Sequence, residues 1–131
     1  MLETLFRLAA RLPLRWLHAI GSAAGLITLR ASPRFAARVA ENVRMAGVVP
    51  PGETEAQFTR RVAREIGKGM FELLAVWFRP DDEVSSLVVE CHGWELIERA
   101  LGEGRGLLFL TPHLGCFDVS AIYTSLRMPL T

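Results

Sequence analysis

Residues able to do chemistry concentrate in one run, Leu110-Thr111-Pro112-His113-Leu114-Gly115-Cys116-Phe117-Asp118. A histidine and a carboxylate five residues apart lie about 140° apart on a continuous helix, which keeps them from touching. In the turn before a helix, the imidazole of His113 can instead fold back over the first turn and meet Asp118, and Gly115 leaves room for that or for a substrate. In such a pair the carboxylate accepts one imidazole N–H and fixes the tautomer, and the other nitrogen takes the proton of an attacking hydroxyl. A nearby helix N-terminus keeps the base neutral at rest, and its free N–H groups can face a developing oxyanion. Spacing alone favours a plainer account: His113 caps the helix and Asp118 is an ordinary first-turn acid, because H-x4-D is short and common.

The elements expected to position this run are a strand before it and a helix after it. Residues 107–110, Leu-Leu-Phe-Leu, form an apolar run between turn signals and read as a strand buried on both faces. Residues 86–91 read as a second short strand, Trp94 to Leu101 as a helix ended by Gly102, Gly104 and Gly106, and Leu114 to Leu126 as another helix. Strand, helix, strand, helix predicts an α/β class with the start of a mixed, largely parallel sheet flanked by helices. Sites in such sheets lie at the carboxyl ends of strands, which is where His113 falls.

Upstream, the sequence is helical and basic. Ser32-Pro33 opens a helix that Gly47 stops, and Thr54 with Gln57 forms a capping-box pattern opening a long helix that ends before Pro80. Its stripe of Phe58, Val62, Ile66, Met70, Leu73 or Leu74, and Trp77 predicts a core face. Residues 2–11 are amphipathic, and Pro13 restarts the helix at its first turn. Taken as continuous, that stretch sets Arg7, Arg11, Arg15 and His18 within about 80° of one another. Trp16 to Leu29 carries no formal charge; 14 residues make about 21 Å of helix against a hydrocarbon core of about 30 Å, too short to span unaided. Arg15 and Arg30 can lengthen it by snorkelling, and Gly21, Ser22, Ala23, Ala24 and Gly25 allow close helix packing. Residues 1–31 therefore read as a retained membrane anchor, ahead of a buried helix or a signal peptide, with residues 32–131 as the amino-terminal part of an α/β domain.

The 131 residues fit one domain, are 50% apolar and have a mean hydropathy of +0.26, which excludes disorder. Two cysteines, Cys91 and Cys116, are too few for a disulfide scaffold and form no CxxC pair. Residues 1–50 hold seven arginines against two glutamates, whereas residues 51–100 hold six bases against ten acids. That asymmetry favours anionic phospholipid or a phosphorylated partner over nucleic acid, because the arginines alternate with Leu, Ala and Trp without clustered stacking aromatics. The last residues, Ser125 to Thr131, carry no charged tail or helix stop, so the chain reads as truncated.

Lesser candidates are Cys116 as a nucleophile, the Cys91-His92 pair and His18. Nothing lowers the thiol's pKa in the sequence, no two-plus-two spacing supports a metal, and His18 falls on the arginine stripe.

The run Gly93-Trp94-Glu95-Leu96, helix, Gly104-Arg105-Gly106, apolar segment 107–110, Thr111-Pro112-His113-Leu114-Gly115 resembles the lipid A biosynthesis (lauroyl/myristoyl) acyltransferase family of the lysophospholipid acyltransferase superfamily. Many members have Asn-Trp-Glu where this chain has Cys116-Phe117-Asp118; the acidic role survives that exchange. The resemblance implies transfer of a fatty acyl chain from acyl carrier protein, or coenzyme A, to a hydroxyl of a lipid A precursor or related glycolipid at the cytoplasmic face of a bacterial inner membrane. It makes His113 the general base and Asp118 its partner, with no metal and no bound cofactor. Members are about twice this length, so the chain is expected to hold the pair without the whole pocket. The competing readings are a non-catalytic membrane-associated interaction module and an acyl-thioester hydrolase.

Overall fold

A computed structural model describes residues 2–104, 106–112 and 115–130. They form seven helices: α1 Leu2–Ala10, α2 Leu14–Ala31, α3 Pro33–Ala46, α4 Glu55–Phe78, α5 Asp81–Ser85, α6 Trp94–Gly102 and α7 Phe117–Ser125. The chain divides into two compact units, Met1–Arg79 and Pro80–Thr131.

The regular structure of the first unit is all α-helix, and local signals set the helix boundaries. Pro13 starts α2 with no N–H to lose. At α3, Ser32 Oγ accepts from Phe35 N–H at 3.3 Å, and Gly47 ends the helix at φ 63°, a left-handed conformation that glycine adopts freely. At α4, Thr54 Oγ1 accepts from Gln57 N–H at 3.3 Å while Gln57 Oε1 accepts from Thr54 N–H at 2.8 Å, completing the expected capping box.

The core of this unit is a close antiparallel crossing of α2 and α4. Leu17, Gly21 and Gly25 recur every four residues on α2 and are buried against Ala63 and Gly67 of α4. A β-carbon at Gly21 would collide with the Gly67 carbonyl, and one at Gly67 with the Gly21 carbonyl. Of the small residues expected to allow close packing, Gly21 and Gly25 do so, whereas Ala23 is exposed. The core stripe expected on α4 forms only in part: Phe58, Val62, Leu73 and Leu74 are half-buried, but Ile66, Met70 and Trp77 are 40%, 63% and 62% exposed, and the buried positions are Thr59, Ala63, Gly67, Ala75 and Val76. Backbone-to-backbone approach needs a face without bulk, so the small-residue face turns inward and the bulky one outward. Arg79, at the end of α4, donates from Nε to Ala10 O and from Nη2 to Leu12 O, both at 2.8 Å, which satisfies free carbonyls at the end of α1.

The second unit corrects the α/β expectation. Among the described residues there is no strand and no sheet. Residues 86–91 begin as a turn, with Leu87 N–H bonded to Val84 O and Val88 N–H to Ser85 O at 3.1 Å each, and run on irregularly. Residues 106–112 have no regular structure, and Val89, Leu108 and Leu110 are 99%, 89% and 89% exposed. A strand exists only where another strand completes its ladder, and neither segment pairs with the other. Apolarity alone made them look like buried strands. The helix expected over residues 114–126 begins at Phe117, and Asp81–Ser85 form the short helix α5.

Candidate active site

The candidate site lies in the second unit, around the run that ends in Asp118. Asp118 sits in the first turn of α7, half-buried and already engaged in a contact. A carboxylate there is favoured by the helix dipole. His113, the other half of the expected pair, and Leu114 lie outside the described residues. Gly115 adopts φ 68°, and no described atom lies within 4 Å of where its β-carbon would point. Cys116 precedes the helix as a half-buried cysteine, and Cys91 is free and exposed. His92 Nε2 lies 3.1 Å from Glu90 Oε1, both well exposed. No three His, Cys, Asp or Glu side chains among the described residues converge as metal ligands.

Beside this run is an apolar cleft of about 350 Å³. Trp94 and Ile97 of α6, Phe117 and Ala121 of α7, and Val88 and Phe109 supply its apolar walls; Thr111 and Phe117 bracket the His113 position in sequence. Two hydroxyls that line it are spent locally, Ser120 Oγ on Phe117 O at 2.6 Å and Thr124 Oγ1 on Ser120 O at 2.8 Å. Their donors face the helix backbone, leaving an alkyl-compatible lining. The volume is within the range of small-ligand pockets, and the lining is mostly apolar, with Glu90 its one charged residue.

A cation–aromatic cluster holds the cleft's helices. The Arg127 guanidinium lies 3.5 Å from the Tyr123 ring centroid and 5.9 Å from that of Trp94, and the two rings meet edge-on at 5.9 Å. Arg127 Nη1 also donates to Tyr123 O at 2.8 Å and Ser85 Oγ at 3.3 Å, so one side chain ties α5, α6 and the end of α7.

The match to a family model decides the affiliation: the bacterial lipid A biosynthesis acyltransferase model covers residues 3–130. The chain belongs to the bacterial lipid A biosynthesis acyltransferase family. No curated protein and no solved structure matches it. Within this lipid A acyltransferase-family chain, the Gly-Trp-Glu-Leu run acquires a physical role. Gly93 takes φ 81° to open α6, Trp94 walls the cleft, and Glu95 sits in the helix's first turn. Gly104, at φ 69°, turns the chain after α6.

Sequence reasoning missed the cleft lining and the Arg127 cluster. The available signal was Trp94, a large aromatic inside the run that carries the resemblance. His18 also sits differently from its expected place on an arginine face. The break at residues 11–13 interrupts that face, and His18 Nε2 is buried 3.6 Å from Glu72 Oε2 of α4 with no hydrogen-bond partner.

Proposed function

We propose that this chain serves acyl transfer from a fatty acyl thioester, on acyl carrier protein or coenzyme A, to a hydroxyl of a lipid A precursor or related glycolipid. The observation that carries the reading is an apolar cleft beside the Thr111–Asp118 run in a chain of this family. The alkyl chain occupies the cleft and the thioester carbonyl sits at the run. His113 accepts the proton of the acceptor hydroxyl as its oxygen bonds to the carbonyl carbon, and Asp118 orients and steadies the imidazolium. Collapse of the tetrahedral intermediate breaks the carbon–sulfur bond, and the imidazolium returns the proton to the thiolate. Gly115 gives the acceptor access. The chemistry needs no metal or bound cofactor. The reaction belongs at the cytoplasmic face of the inner membrane, with residues 1–31 holding the protein to the lipid.

The test is acyl transfer by the complete gene product to a panel of glycolipid and phospholipid acceptors. His113→Ala should lose about 100- to 10,000-fold and Asp118→Asn a substantial part of that, while membrane association persists. Wild-type turnover by His113→Ala would end the reading. Thioester loss independent of a glycolipid acceptor would make the protein a hydrolase, and absence of both reactions a binding module.

A further inference from the structure

The exposed face of α2 is apolar along its length. Trp16, Ala19, Ile20, Ala23 and Ile27 fall on one stripe and are all exposed. Leu5 and Leu8 of α1 and Leu12 of the connecting turn continue this exposed apolar surface in sequence. Arg11, Arg15 and Arg30 border it, all exposed, and α2 holds no carboxylate. We propose that this face beds into the headgroup–acyl boundary of an anionic bilayer with α2 lying along the surface and not crossing it. The inference rests on the membrane-association reading above and specifies how that association is made.

Three observations carry it. The first is mechanical. The opposite face of α2 is fused to α4, with Gly21 seated beside the Lys68 backbone and Gly25 beside that of Arg64. Whatever depth α2 reached, α4 would follow. A transmembrane α2 would draw Arg60, Arg61, Arg64, Glu65, Lys68 and Glu72 of α4 into hydrocarbon, where each charge is costly. The second is dimensional: among the described residues, no helix is long and apolar enough to cross a membrane. The third is electrostatic. A second copy of the chain on this face would set Arg11, Arg15 and Arg30 against like charges, whereas anionic headgroups neutralise them. An apolar stripe bordered by arginines, with a tryptophan near one end, is the composition of an interfacial helix.

The experiment measures depth at two points of α2 in the full 131-residue chain. One variant keeps Trp16 alone (Trp77→Phe, Trp94→Phe); the other adds Ile27→Trp and Trp16→Phe. Each is titrated with phosphatidylcholine vesicles, with and without phosphatidylglycerol, whose acyl chains are brominated at shallow or deep positions. Residues 16 and 27 are about 16 Å apart along the helix. The expected result is a blue shift on anionic vesicles, with both positions quenched best by the shallow bromine. Deep quenching at 27 with shallow quenching at 16 would overturn the flat seating while leaving membrane association intact. Absence of binding would remove both. Arg11→Gln with Arg15→Gln should weaken partitioning to anionic vesicles by about tenfold or more. Unchanged partitioning, or a stable dimer in place of lipid binding, would also overturn the proposal.

Discussion

Gly25 of α2 is seated against the Ala63 carbonyl of α4, so close that a β-carbon at position 25 would overlap the oxygen. Four residues earlier, Gly21 faces Gly67 in the same way. The crossing is therefore set by backbone contact, not by interlocked large side chains, and has no slack for added volume. Gly25→Val should destabilise the first unit by at least about 1–3 kcal/mol, the cost of overpacking a site that cannot move aside. Gly69→Ala is the control: the residue is on α4, and an added β-carbon there meets nothing within 4 Å. It should stabilise by about 0.5–1 kcal/mol through the unfolded-state entropy of glycine. Urea unfolding followed by far-UV circular dichroism measures both; equal midpoints for Gly25→Val and wild type would refute the crossing.

The start of α4 rests on a reciprocal pair. Thr54→Ala removes the hydroxyl that accepts from Gln57 N–H and should cost about 1 kcal/mol. Thr54→Ser keeps the oxygen and should recover most of that loss in the same unfolding assay. A similar loss in both variants would assign the effect to the threonine methyl instead of the cap.

The caps of α3 and α4 and the glycines of α2 were legible because each rests on chemistry within a few residues. Ser32, Gly47, Thr54 and Gln57 satisfy or end their helices locally, whatever packs on them. The face of α4 was not legible, because its orientation depends on a partner helix. Phe58 to Trp77 had the spacing of a core stripe, yet glycines on α2 made the small-residue face the better contact. Leu107 to Leu110 failed for a related reason: an apolar run specifies burial only if another segment covers it, and Leu108 and Leu110 are exposed. Asp118 falls in the first turn of a helix that starts later than its sequence suggested, and His113 lies outside the described residues.

Arg127 is the tie of the second unit. Its guanidinium stacks on Tyr123 and reaches both the Tyr123 carbonyl and Ser85 Oγ. Arg127→Leu should lose about 0.5–1 kcal/mol of cation–π attraction together with these hydrogen bonds. Arg127→Lys keeps the charge without the planar stack and should fall between. Near-UV circular dichroism follows the Trp94–Tyr123 pair directly; an unchanged spectrum in Arg127→Leu would show that the rings hold their edge-on contact unaided.

Ala121 separates an acyl-chain role for the cleft from a purely structural one. It lines the cleft between Phe117 and Thr124 and is itself half-buried. Ala121→Phe fills volume on that wall, so long acyl chains should be excluded before short ones. A methylene in an apolar pocket is worth about 1–3 kcal/mol, or roughly 10- to 200-fold in kcat/KM. In the complete gene product, kcat/KM for long-chain donors should therefore fall by at least about tenfold relative to short-chain donors, with the unfolding midpoint close to wild type. Equal losses at every chain length would take the alkyl chain out of this cleft and leave the His113–Asp118 chemistry to be judged on its own variants.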